Sequence, residues 1–240
     1  MSATLVMSPV DAVESAAEPL APWWHTLLIL LPIAIGSIAS YYQHGLPNAN
    51  IPGISSRLSG YFTVVGGEWL MVLMIWLAIR QRGISIASLV SRWQNLRSFF
   101  RDLGLAVGFM VVVIPTVAVV MHFLGAKAAS GALANILPKT WFELAVWLGL
   151  SATGGFCEEL IFRGYLTRQF GAWTGSRASA IVLQGVAFGL GHGYYGKLML
   201  AIMLHGWLLG LLAYWRKSLL PGILAHGLQD TLGGVVGFFS

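Results

Sequence analysis

Three groups of residues in the second half of the chain have the types and spacing to activate a water molecule or to move a proton. Glu158 and Glu159 are adjacent, and Arg163 follows Glu159 by four positions. On a helix that spacing puts Glu159 and Arg163 on one face, where they can pair. Glu158 lies about 100° further round and keeps a carboxylate with no cation of its own. Phe188 and His192 stand at i and i+4, as do His226 and Asp230, so each pair shares a face. A carboxylate one turn from a histidine orients its ring and stabilises its charged form, while a second carboxylate and another histidine can take a proton from water.

The solvent around these groups gives them weight. Of 240 residues, 57% are hydrophobic and only 10% charged, and the mean hydropathy is +0.75. That leaves too little polar surface to cover a soluble globule. The 29 glycines and 9 prolines suit membrane helices that pack closely or break at defined points. The net charge of +5 does not indicate nucleic acid, because the basic residues sit at the ends of apolar runs and form no stripe. Cys157 is the single cysteine; it rules out a disulfide within the chain and reads as a small apolar helix residue.

The elements that must position the charged groups are spanning helices, each needing about 20 mostly apolar residues. Candidates run over 23–42, 61–79, 103–124, 141–169, 177–192, 197–215 and 218–239. The sequence therefore predicts an all-α, polytopic membrane helix bundle of about seven transmembrane helices, six to eight. Residues 1–21 carry Asp11, Glu14 and Glu18 and no basic residue, so they read as a loose cytoplasmic tail and not as a cleaved signal peptide. Residues 22–240 read as a single membrane domain. Residues 84–100 mix serine, arginine and apolar side chains and are expected to lie along the membrane surface.

Alternation of the spans assigns Arg80, Arg82, Arg92, Arg97, Arg101, Arg168, Arg177, Arg216 and Lys217 to one side, and Arg57, Lys127, Lys139 and Lys197 to the other. By the positive-inside rule the first side is cytoplasmic, which places the N-terminus in the cytoplasm and the C-terminus outside; a plasma or inner membrane is the expected location.

Glu68, Glu158, Glu159 and Asp230 fall within spans, where a charge costs about 2.5 to 3.5 kcal/mol on insertion scales. Such residues mark function or a buried ion pair. Counting about 1.5 Å per residue from each cytoplasmic end puts Glu158 at about 16 Å, His192 at about 22 Å and His226 at about 12 Å. Tilt absorbs that spread, so the three can meet in a cavity open toward the cytoplasm. Glu68, at about 18 Å on the same scale, can join them but has no motif. His25, His44 and His122 read as helix-packing residues, and His205 lies in the sixth span without a motif.

In this order and spacing the residues resemble the CAAX protease and bacteriocin-processing family of intramembrane endopeptidases, also called the Abi or type II CAAX prenyl endopeptidase family. Glu158 to Arg163 resembles its EExxxR motif, Phe188 to His192 its FxxxH, and His226 to Asp230 its HxxxN or HxxxD. The resemblance covers residues 140–235. It implies that Glu158 and His192 activate water and that His226 and Asp230 stabilise the oxyanion. Glu159, Arg163 and Phe188 then serve as structural support, and no cofactor is required. Many relatives have asparagine where this chain has Asp230; a carboxylate beside an oxyanion repels it unless it is protonated or acts through His226.

Other readings stay open. Two histidines with one or two carboxylates suit Zn²⁺ with a water in an open position, which would make a zinc-dependent metalloprotease of the same residues, although no HExxH motif occurs. Intramembrane acids and histidines also serve transporters and proton relays, and the scaffold could serve a non-catalytic, immunity-type membrane protein. The partners expected are the lipid bilayer and a peptide or membrane-protein substrate, not nucleic acid; oligomeric state is not legible.

Overall fold

The computed structural model describes residues 18–44, 46, 51, 53–125 and 131–240, and every regular element among them is helical. The expected spans correspond one for one to α1 (Trp23–Gln43), α2 (Ser56–Arg80), α4 (Leu96–Phe123), α6 (Trp141–Thr174), α7 (Arg177–Gly191), α8 (Met199–Arg216) and α9 (Leu220–Phe239). Two short helices, α3 (Ile86–Val90) and α5 (Gly131–Ile136), lie between them. Residues 1–17 of the expected tail, and Lys127, lie outside the described residues.

Five stretches are long and apolar enough to cross a membrane: α1, α2, α4, α6, and Gly193–Arg216, which contains α8. The remaining two are α7, apolar but of 15 residues, and α9, of 20 residues, which carries His226, Gln229 and Asp230. The chain is a multi-pass integral membrane protein.

Capping side chains explain where the helices start. Ser55 accepts from Leu58 N at the head of α2, Thr140 from Glu143 N at α6 and Ser176 from Ser179 N at α7, each satisfying an amide that no helical carbonyl reaches. Asn95 and Ser98 cap α4 reciprocally. That box corrects the expectation for residues 84–100: only α3 is a separate helix there, and residues 96–100 are the first turns of α4.

The ends of the helices sort by charge. At one end, Arg82 reaches Pro19 O at 2.6 Å before α1, Arg216 at the foot of α8 meets Asp102 of α4 at 3.0 Å, and Arg177 of α7 donates to Tyr214 of α8 at 3.0 Å. At the other end Arg57 of α2 pairs with Glu143 of α6 at 3.2 Å.

The core gathers on α6. Half of its apolar stretch is buried against other helices, compared with 17% for α4, whose exposed Val111, Val112 and Phe123 form a surface suited to lipid. α9 crosses α6 at Gly155 and Gly227; a Cβ on Gly155 would lie 2.8 Å from Gly227 N, so the two backbones meet without side chains between them. α1 is held by a buried polar network. His25 Nε2 donates to Met74 O at 3.1 Å and its Nδ1 meets the Tyr165 hydroxyl at 2.7 Å, while Gln169 donates to Ala21 O at 2.9 Å and Thr26 Oγ1 at 2.7 Å. His25 is thus the packing residue expected. His44 and His122 are not: both are exposed, His44 as the left-handed cap of α1 with φ 53°.

Candidate active site

The EExxxR segment does not wind as a regular α-helix. Within α6, residues Glu159–Leu166 form a π-helix in which every side chain is buried. Thr167 Oγ1 donates to Phe162 O five residues back, at 2.9 Å. Wide turns of this kind recur at functional sites because they re-aim side chains that α geometry would direct elsewhere. Here Glu158, the last α-helical residue, and Glu159, the first of the π stretch, both project toward α9.

Glu159 is the sealed member, with its side chain fully buried. Its Oε1 lies 2.9 Å from Arg163 Nη1, which is the pair expected from the spacing. The same oxygen accepts from His226 Nδ1 at 3.1 Å, a bond the sequence spacing gave no means to see because the two residues are 67 positions apart. Arg163 also donates to Gly206 O at 3.3 Å and lies 4.2 Å from the centre of the Phe188 ring, a cation–π contact. Phe188 also meets the rings of His192 at 4.8 Å and His226 at 5.8 Å, so one aromatic ring packs against the buried cation and both imidazoles.

His192 sits one residue beyond α7 as its C-cap, not inside the span as expected. Its Nδ1 donates to Phe188 O at 2.9 Å, which turns Nε2 toward Glu158 Oε2 at 4.0 Å. Glu158 Oε2 also lies 3.8 Å from His226 Nε2 and has no hydrogen-bond partner among the described residues. Asp230 Oδ2 completes the group, 3.6 Å from His226 Nε2. All four residues bearing EExxxR, FxxxH and HxxxD chemistry, Glu158, His192, His226 and Asp230, therefore converge. Exposure grades across the site: the Glu159 side chain is fully buried, His226 is 6% exposed, Glu158 19%, His192 20% and Asp230 40%. The open side is the one bounded by Glu158, His192 and Asp230.

Groups without a motif also line the site. The ring of His205, on α8, is 6.1 Å from that of His226 and its Nε2 is buried without a partner among the described residues. Tyr194 and Tyr195, 4.3 Å apart, flank His192 at 6.0 and 6.4 Å. They lie on the turn Gly193–Leu198, where Gly196 takes φ 59°, a conformation open to glycine. Glu68 reaches the same region from α2, as its depth along the helix suggested. Neither the tyrosines nor His205 stand at a spacing from the acids that sequence reasoning could read. Among the described residues no group of three or more histidine, cysteine, aspartate or glutamate side chains is placed to hold a metal ion.

A family model described as "Type II CAAX prenyl endopeptidase Rce1-like" matches residues 139–232. The matched segment runs from the cap of α6 into α9 and holds all three motifs, in agreement with the resemblance that those motifs carry. No curated protein and no solved structure matches the chain.

Proposed function

Starting from an Rce1-like type II CAAX endopeptidase segment at 139–232, we propose that the protein is an intramembrane endopeptidase in which Glu158 and His192 activate the water that attacks the scissile carbonyl. The observation that carries this reading is Glu158 Oε2, unpartnered among the described residues and facing His192 Nε2 at 4.0 Å. That distance exceeds a direct hydrogen bond and suits two acceptors sharing one water. With Nδ1 of His192 donating to a carbonyl, its Nε2 offers a lone pair. A water that donates one hydrogen to Glu158 and the other to His192 has its own lone pair free for the carbonyl carbon. Its proton passes to Glu158 as the C–O bond forms, and then to the leaving amine as the C–N bond breaks.

His226 faces the carbonyl oxygen in this reading. Its Nδ1 hydrogen is held by Glu159, so a second hydrogen on Nε2 is the one offered to the oxyanion. The carboxylates of Glu159 and Asp230 on either side balance that doubly protonated ring. Asp230 thus acts through His226 and need not touch the oxyanion. The bilayer and a peptide or protein substrate are the partners this reading requires.

One observation favours zinc as a second reading. Both His192 and His226 fix Nδ1 on an oxygen and present Nε2, the arrangement of metal-ligating histidines, but no three of the acids and histidines among the described residues are grouped for a metal, so Glu158 or Asp230 would have to move in to complete a site.

The test is cleavage by the purified full-length protein of a farnesylated CAAX-box peptide and its unprenylated counterpart. Glu158→Gln and His192→Ala are each expected to lower kcat by about 10²- to 10⁴-fold, the range for loss of general acid–base catalysis, while the protein still folds. Cleavage retained in either variant overturns the reading.

A further inference from the structure

We infer that Glu68 is the proton-sharing partner of Glu158, so that the base serving the water is a pair of carboxyls drawn from α2 and α6. The inference rests on the endopeptidase reading above and extends its site into the half of the chain that carries no motif.

Glu68 lies in the middle of a spanning helix and is 5% exposed. A lone carboxylate at that depth is costly, and its Oε2 has no hydrogen-bond partner among the described residues. Arg163, the guanidinium buried beside this region, is committed to Glu159. Glu68 caps no helix and closes no turn. Its Oε1 comes to the face of α6 at Gly154, the residue one turn before Glu158 and on the same side of the helix, and Glu158 Oε2 is the other buried carboxylate oxygen there without a partner among the described residues.

The approach is built into the backbone. Gly154, one turn before Glu158, leaves open a point that lies 4.0 Å from Glu68 Oε1 and 3.8 Å from Asp230 Oδ2. Carboxylates from α2 and α9 thus come to the surface of α6 where a side chain at 154 would stand between them. Asp230 has His226 as its partner and Glu159 has Arg163, which leaves Glu158 as the carboxyl for Glu68 to pair with.

Ionised carboxylates only accept hydrogen bonds, so two of them in contact require one proton between them. The pair then holds one proton at rest. When the water attacks, its proton goes to the pair, which now carries two, and one of these passes to the leaving amine, restoring the single shared proton. Atoms and charge balance with no group beyond water and the peptide. Glu68 touches neither water nor carbonyl; it is a positioning residue that acts through Glu158.

Infrared difference spectroscopy of the purified full-length protein in detergent tests the pairing without any substrate. The wild type should show the carbonyl stretch of a protonated carboxyl that moves to a new frequency in both Glu68→Gln and Glu158→Gln, because the remaining acid loses its carboxylate partner, that is absent when both are replaced, and that is unchanged in Asp230→Asn. A band whose frequency is unmoved in Glu68→Gln, or unmoved in Glu158→Gln, overturns the inference. Turnover of the CAAX-box peptide supplies the second readout: Glu68→Gln should lower kcat at least tenfold with KM within about twofold, as expected for a residue acting on proton transfer and not on binding. An unchanged kcat in Glu68→Gln also overturns it, and Glu68→Asp, which keeps the carboxyl, should recover part of the loss. If Glu158→Gln still cleaves the peptide, the endopeptidase mechanism fails, while the infrared result still decides whether the two carboxyls pair.

Discussion

One carboxylate oxygen, Glu159 Oε1, lies 3.1 Å from His226 Nδ1 and 2.9 Å from Arg163 Nη1, so a single buried acid both neutralises a guanidinium and fixes the orientation of an imidazole. The two duties separate on mutation. Glu159→Ala leaves Arg163 buried without its counter-charge, which destabilises by about 3–5 kcal/mol. Glu159→Gln keeps an acceptor for His226 and loses only the charge, so its destabilisation should be smaller. Thermal unfolding of the purified protein in detergent checks both, and an alanine variant as stable as wild type would contradict the role assigned to the pair.

Asp230 is the most exposed of the converging side chains, and its partner is the His226 ring 3.6 Å away. Asparagine there can donate directly to an oxyanion, in the manner the HxxxN pattern implies. Asp230→Asn should therefore keep kcat within about tenfold of wild type, whereas Asp230→Ala, with neither charge nor donor, should fall by about 10²-fold, the effect of losing one oxyanion-stabilising group. Peptide turnover by the two variants distinguishes them; equal losses would mean that the carboxylate itself is needed.

The i,i+4 spacings made the Glu159–Arg163 and Phe188–His192 contacts legible, because neighbours on one helix face need no knowledge of tertiary packing. The seven long helices were legible for the same reason, since an apolar run of the right length reports its own solvent. The capping box at Asn95 and Ser98 was also written in the sequence, but the polar residues around it masked the true start of α4. What spacing could not supply is the meeting of α6 with α9. The π winding of residues Glu159–Leu166 changes where side chains point by an amount that no 3.6-residue period contains. The bond from His226 to Glu159 and the approach of Glu68 to α6 at Gly154 join residues far apart in the chain.

Gly155 controls that meeting. A Cβ there would lie 2.8 Å from Gly227 N and 2.9 Å from both Gly227 Cα and Ile223 O, all backbone atoms that cannot rotate aside. Gly155→Ala must push α9 away from α6, with an overpacking penalty of about 1–3 kcal/mol. Because His226 rides on α9 and Glu158 and Glu159 on α6, peptide cleavage should fall further than stability does. Gly149→Ala is the control, since nothing lies within 4 Å of its Cβ position; it should change neither. Equal cleavage by the two variants would separate the helix crossing from the site.

Chelation decides between the two ways the same residues could activate water. In the metal-free reading the water gives its hydrogens to Glu158 Oε2 and His192 Nε2, 4.0 Å apart, and the chain supplies both acceptors. In the zinc reading those two atoms and His226 Nε2 would turn their lone pairs onto the metal, whose ligand bonds are about 2.0–2.2 Å, and Glu158 would become a ligand and cease to be the base. The difference shows in Glu158→Gln as well as in chelator. Incubation of the purified protein with a strong zinc chelator is expected to leave cleavage of the CAAX-box peptide unchanged, with Glu158→Gln inactive whether or not zinc is added. Activity lost to chelator and restored by one equivalent of zinc, accompanied by recovery of Glu158→Gln at high zinc, would instead assign Glu158, His192 and His226 to the metal.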